Sequence, residues 1–192
     1  MRIITVSGTH SGVGKTTFVE ELLGQLKGWS CLKVTFMHKG LSCPIHKNCG
    51  ACDKLDSAFY IVADEKTLLQ QDKDTYRFKR AGAKQVFWLK AQTEEGLKQG
   101  WQKAVDMFDG SKGLIVEGTS VLKYLHPDLA VFIIGKDKPW KESAKEIFEG
   151  GFLQEKPYFF SSSDMPFLHN DTVLCLALRG LENEGEHDGS KV

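Results

Sequence analysis

Apolar positions along this chain switch between two periods. Residues 2–7 (RIITVS) form a short run that reads as a buried strand. After a glycine-rich turn, Phe18, Leu22, Leu23 and Leu26 fall on one helix face, which predicts a helix from Lys15 to about Leu26. Strand-like runs return at Cys31–Met37, Phe59–Val62, Gln85–Leu89, Gly113–Glu117, Leu129–Ile134 and Val173–Leu178. Helical spacing occupies Asp74–Ala81, with Asp74 as a candidate N-cap, and Trp140–Glu149. It also occupies Thr93–Phe108, where Thr93 can cap and Leu97, Trp101, Val105 and Phe108 share a stripe. Strands alternating with helices predict an α/β fold, three layers around a mostly parallel sheet. Residues 39–57 break the alternation: they are polar, Gly-punctuated and rich in Cys and His. Near the end, Glu182, Glu184, Glu186 and Asp188 replace apolar positions. The expected organisation is one domain over 1–180, with 39–57 as an insertion, and a disordered acidic tail over 181–192.

Composition narrows the function classes. The 25 basic residues balance 25 acidic ones, a net charge of zero, which argues against wholesale binding to nucleic acid or an anionic membrane. The longest clean apolar runs, Leu129–Ile134 and Val173–Leu178, are far short of the ~20 residues a membrane helix needs. The N-terminal residues do not resemble a secretory signal, so a cytoplasmic location is expected, with neither nucleic acid nor membrane as partner. Of 5 cysteines, Cys43, Cys49 and Cys52 are clustered and Cys31 and Cys175 lie apart. That distribution points to metal or redox chemistry before disulfides.

The sharpest motif is Gly8-Thr9-His10-Ser11-Gly12-Val13-Gly14-Lys15-Thr16-Thr17. It follows a predicted strand and opens a predicted helix, the setting of a phosphate-binding loop. Glycines let backbone N–H groups converge on phosphate oxygens, and the helix N-terminus adds positive potential. Lys15 supplies a point charge for the β- and γ-phosphates, and the Thr16 hydroxyl is a candidate Mg²⁺ ligand. Leu114-Ile115-Val116-Glu117 is an apolar strand ending in an acid. An acid there faces the ligand crevice of a parallel sheet, so Glu117 is a second candidate Mg²⁺ ligand.

The loop resembles those of the P-loop class that includes dethiobiotin synthetase, the cobyrinic acid amidating synthases and the ParA/MinD ATPases. Where the last group has a second lysine inside the loop, this chain has His10. The stretch Asp72-Lys73-Asp74-Thr75-Tyr76-Arg77-Phe78-Lys79-Arg80-Ala81-Gly82-Ala83, with His38-Lys39 and Glu117-Gly118, resembles the molybdopterin-guanine dinucleotide biosynthesis protein B (MobB) family. The resemblance spans roughly residues 2–135. Asp72 stands where that family usually has Gly. The resemblance implies Mg²⁺-dependent binding and slow hydrolysis of GTP or ATP, GTP being favoured, with Lys15, Asp74 and Glu117 at the reacting phosphate. It implies assistance in molybdenum cofactor biosynthesis, with molybdopterin or a cofactor-biosynthesis protein as partner, and is compatible with a homodimer. Arg77, Lys79 and Arg80 would add a basic face, on phosphate or simply solvated. Synthetases of the dethiobiotin type usually carry a Gly-rich turn after their acid; Glu117-Gly118-Thr119-Ser120-Val121 lacks it.

Cys43, His46, Cys49 and Cys52 recur at intervals of three, a set that can close a tetrahedral Zn²⁺ site; an Fe–S site is the alternative. Cys31 is a remote fifth candidate and Cys175 reads as core. The insertion follows the second strand, on the nucleotide side. Nickel-insertion GTPases, which this arrangement also resembles, carry Cys/His ligands beside a similar loop, so a metallochaperone NTPase competes with the molybdenum-cofactor role.

Overall fold

The computed structural model describes residues 1–37, 57–71, 73–152 and 158–161. The Cys43, His46, Cys49 and Cys52 set, His38-Lys39, Asp72, Cys175, the expected strand Val173–Leu178 and the acidic tail lie outside the described residues. Seven strands form one sheet: β1 (Arg2–Gly8), β2 (Ser30–Phe36), β3 (Phe59–Val62), β4 (Val86–Ala91), β5 (Gly113–Glu117), β6 (Leu129–Ile134) and β7 (Tyr158–Ser161). Their order is β3-β4-β2-β5-β1-β6-β7. Every pairing is parallel except that of edge strand β3 with β4.

The helices are α1 (Lys15–Gln25), α2 (Glu65–Leu68), α3 (Asp74–Arg80), α4 (Glu94–Asp106) and α5 (Glu142–Glu149), with a 3-10 turn over Ser120–Lys123. Successive strand residues point to opposite faces, and each face has its own core. Ile4, Val6, Cys31, Ile115, Val131 and Ile133 pack under Phe18, Val19, Leu22 and Leu23 of α1 and Phe78 of α3. Leu32, Leu89, Leu114, Val116 and Phe132 pack on the other face under Leu97, Trp101 and Ala104 of α4 and Ala144 and Ile147 of α5. This is the expected three-layer α/β architecture, with the strand, glycine-rich loop and helix formed by β1, residues 9–14 and α1 at its centre. Among the described residues, no helix is long and apolar enough to cross a membrane.

Several expectations shift for physical reasons. Asp74 is not the cap of α3: Lys73 occupies that position without a side-chain cap, and Asp74 is the first helical residue. The Thr93 hydroxyl does cap α4, accepting from the Gly96 N–H at 3.0 Å. Strand β4 runs on past Leu89 because Lys90 and Ala91 pair with both β2 and β3, and Lys90, 7 % exposed, lies over the Trp88 ring, 4.1 Å from its centroid. A lysine there ends the apolar run in the sequence but not the strand in the fold. Cys31 is wholly buried in the α1-side core, and burial pushes its thiol well up; it is a core residue rather than a metal candidate. Strand β7 is too short to carry a pattern. It is placed by aromatic contacts, Phe160 on Phe18 (centroids 5.2 Å apart) and Phe159 on Phe132 (6.2 Å).

Two helical glycines give opposite forecasts. Alanine is better than glycine in a helix by roughly 0.5–1 kcal/mol. A Cβ on Gly24 in α1 meets nothing within 4 Å, so Gly24→Ala should stabilise by about that amount. A Cβ on Gly96 in α4 would sit 2.2 Å from the Ala58 carbonyl oxygen; the backbone clash outweighs the propensity gain, and Gly96→Ala should destabilise by roughly 1–3 kcal/mol. Urea denaturation of both variants checks the pair of signs.

Candidate functional site

The α1 face of the sheet changes character along the strands. Below, it carries Cys31, Val86 and Ile115; one pleat further on come Lys33, Trp88 and Glu117. Lys33 lies in register with Trp88 on one side and Glu117 on the other. The three therefore form a row across β4, β2 and β5 that is mid-strand in β4 and β2 and meets the C-terminal end of β5 at Glu117, on the side where parallel α/β sheets bind ligands. Beside the row, β1 runs into the glycine-rich loop. Together they line a crevice of about 910 Å³ that includes Gly8, Ser11, Lys15, Thr16, Asp74 and Lys141.

The loop is held from both sides. The Thr9 N–H donates to the Ile133 carbonyl at 3.0 Å, and the Thr9 hydroxyl accepts from the Gly135 N–H at 3.0 Å. Ser7 Oγ donates to the Gly118 carbonyl at 3.0 Å, and the Thr119 hydroxyl donates to the Gly8 carbonyl at 3.3 Å. His10, 4 % exposed, wedges against Gly135, where a Cβ would lie 2.2 Å from its Nε2. That nitrogen faces the Asp137 carboxylate at 3.1 Å. Gly12 and Gly14 take φ of 82° and 107°, which a side chain would strain. The first intrahelical bond is from the Phe18 N–H to the Gly14 carbonyl, so the N–H groups of Lys15, Thr16 and Thr17 have no acceptor within α1.

The charged groups converge on this loop. Lys15 Nζ donates to the His10 carbonyl at 3.1 Å and lies 3.9 Å from Glu117 Oε1. Burial lowers the Lys15 ammonium pKa against the pull of Glu117. Burial also pushes the Glu117 carboxyl up, although Lys33 and Lys15 draw it down. Asp74 behaves oppositely. Burial disfavours its charge, but the ion pair with Lys33 and a hydrogen bond from Thr16 outweigh this and hold it below the usual carboxylate range.

The expected site residues thus separate into two groups. Gly8, His10, Ser11, Gly12, Lys15, Thr16, Asp74 and Glu117 line the crevice. Thr9, Val13, Gly14 and Thr17 lie outside that lining: Val13 is buried, Gly14 caps α1 and Thr17 accepts from Arg77 at 3.3 Å. The basic face disperses. Arg77 forks onto Glu20, Nε to Oε1 at 2.8 Å and Nη2 to Oε2 at 2.5 Å. Lys79 donates to the Lys84 carbonyl, and Arg80 lies over Tyr76. Sequence reasoning missed Lys33 and Lys141. A lysine inside an otherwise apolar central strand was the available signal for the first; Lys141 carried none.

Hard oxygen donors suit Mg²⁺, and Thr16, Asp74 and Glu117 present only such donors. Among the described residues, no group of three or more His, Cys, Asp or Glu side chains could hold an ion unaided. A Mg²⁺ ion here would complete its shell with phosphate oxygens and water.

No family model matches the chain, and no curated protein is significantly similar. The crystal structure of HypB from Helicobacter pylori in complex with nickel is similar at a TM-score of 0.47 and 15 % identity. The match covers 99 % of this chain and 92 % of that one.

The two carboxylates should leave opposite marks on stability. Glu117 is held above its unfolded value, so the folded state binds this proton more tightly and its contribution falls as pH rises from about 4 through the raised value. The stability of Glu117→Gln relative to the parent should therefore climb across that window and be at least equal to it at pH 7. Asp74 is held below its unfolded value, so its contribution is present above about pH 4 and lost on acidification. Asp74→Asn should be destabilised at neutral pH, and the deficit should close in acid. Denaturant midpoints from pH 3 to 8 test both signs.

Proposed function

We propose that this protein binds a nucleoside triphosphate with Mg²⁺ in the crevice and hydrolyses it slowly. The observation that carries the reading is the convergence of a braced glycine-rich loop, Lys15 and the buried Glu117, with Lys15 Nζ and Glu117 Oε1 3.9 Å apart. Backbone N–H groups of the loop and the start of α1 bind the β-phosphate, and Lys15 bridges toward the γ-phosphate. Thr16 and Glu117 would hold Mg²⁺, which supplies charge neutralisation on the phosphate oxygens. Asp74, hydrogen-bonded by Thr16, orients that hydroxyl and lies at the γ-phosphate end. In the reaction, a water oxygen bonds to the γ-phosphorus and the bond to the β-γ bridging oxygen breaks. The electron pair stays on the diphosphate, and the water's proton passes to the departing phosphate. The crevice walls and loop contribute positioning and electrostatic stabilisation rather than covalent chemistry.

GTP is favoured over ATP only through the resemblance to the MobB family, and that resemblance is also the ground for a role in molybdenum cofactor biosynthesis. Metal delivery is the second reading, and a specific observation favours it. The segment containing Cys43, His46, Cys49 and Cys52 follows Met37 in the sequence, and the Met37 N–H donates to the Ala91 carbonyl at 2.8 Å. On the other side of that segment, the Ala58 carbonyl accepts from the Gln92 N–H at 3.1 Å. Both anchors sit at the crevice end of β2 and β4, beside the crevice residues Thr35 and Phe36. The two described ends of that segment are thereby fixed beside the crevice in which the nucleotide would bind.

Lys15→Ala removes a charge-assisted phosphate contact and should weaken Mg²⁺–triphosphate binding by about 2–3 kcal/mol; calorimetry with GTP and ATP measures it. Zn²⁺ and Ni²⁺ titrations of the parent and Cys49→Ser separate the two roles. Delivery requires metal affinity to change between diphosphate and triphosphate, with an equal reciprocal effect of metal on nucleotide affinity. A structural ion should bind alike with either nucleotide.

A further inference from the structure

Lys141 precedes the first residue of α5, in the connection that follows β6. Its backbone N–H donates to the Thr9 carbonyl at 2.8 Å, which ties this position directly to the phosphate loop. Its side chain then turns back over the loop, and Nζ donates to Ser11 Oγ at 2.8 Å. Among the described residues no carboxylate lies within ion-pair distance of it, although its charge is felt at Glu117 across the crevice; the ammonium rests on a neutral hydroxyl at the rim. Ser11 is exposed and stands next to Gly12, the left-handed turn of the loop. Lys15 approaches the same loop from α1, with Nζ on the His10 carbonyl. Two ammonium groups from different elements thus converge on adjacent loop residues, and the Lys141 charge adds to the lowering of the Lys15 ammonium.

We infer that Lys141 is a second phosphate-contacting cation, supplied by the β6–α5 connection, which leaves Ser11 to meet the γ-phosphoryl group of the bound triphosphate. The inference rests on the nucleotide reading above and assigns a residue to it. The long side chain has reach to spare, while the backbone tie to Thr9 keeps its root fixed. A diphosphate offers it no partner. Negative charge spread over the γ-oxygens during transfer strengthens the contact as the bond to the bridging oxygen breaks, so its effect falls on rate more than on nucleotide affinity. Lys141 neither gives nor takes a proton.

The test compares Lys141→Met, Lys141→Arg and Lys15→Ala for single-turnover hydrolysis of Mg²⁺–GTP and Mg²⁺–ATP, and for GDP and ADP affinity. Lys141→Met should slow hydrolysis roughly 10- to 100-fold, leave diphosphate affinity within about threefold, and be largely rescued by Lys141→Arg. Equal loss of diphosphate and triphosphate affinity, with no separate loss in rate, would mean that Lys141 only braces the loop and would overturn the proposal. So would a rate unchanged in Lys141→Met while Lys15→Ala is impaired. If Lys15→Ala is also unimpaired, the nucleotide reading itself fails. A second measurement needs no variant: Lys141 is exposed, and its acylation by acetic anhydride can be followed by mass spectrometry. Acylation should be slower with a non-hydrolysable triphosphate than with the diphosphate, and equal rates would contradict the contact.

Discussion

Glu117 ends a strand that is buried along its whole length, and its carboxylate is buried with it, in register beside Lys33 and 3.9 Å from Lys15. Placing charges where water cannot solvate them costs several kcal/mol per ion unless partners return it. Here the return is partial. Burial raises the Glu117 carboxyl and lowers the Lys15 ammonium even with each beside the other. The lower half of the same sheet face must therefore supply the stability that the upper half lacks, through Ile4, Val6, Cys31 and Ile115 packed under α1. Local departures from good packing of this kind are expected at functional sites. A polyanion with its cation would relieve both penalties at once.

The surroundings of that charge cluster are built to hold still. Strand β1 is paired on one side with β5 and on the other with β6, so the loop that leaves β1 is bonded to the ends of both neighbours. Thr9 uses its N–H and its hydroxyl on the β6 side, and Ser7 and the Gly8 carbonyl are engaged by Gly118 and Thr119 on the β5 side. Under the proposed function, donors already in position would need no reorganisation to meet phosphate, the condition under which fixed dipoles are most effective. The fork of Arg77 on Glu20 joins α3 to α1, so the helix that begins with Asp74 is tied to the helix that begins with Lys15. The basic residues after Asp74 consequently have a bracing part in the fold.

Elements whose signal is local were legible in the order of residues alone. Periodicity placed α1 and α4, runs of β-forming residues placed β1, β3, β5 and β6, and the glycines with Lys15 and Thr16 marked the loop. Turn geometry and amphipathic spacing depend on residues a few positions apart, so one chain read in order suffices for them. The partnerships across the sheet were decided only in three dimensions. That Lys33 lies between Trp88 and Glu117 follows from strand order and register, which no local pattern encodes. Lys141 reaches Ser11 because β6 neighbours β1, and Asp74 is a partner of Lys33 and Thr16 rather than a cap because α3 packs over the end of β2. The sign of a charged residue can be read from sequence; its partner and its burial, which set what that charge can do, are properties of the fold.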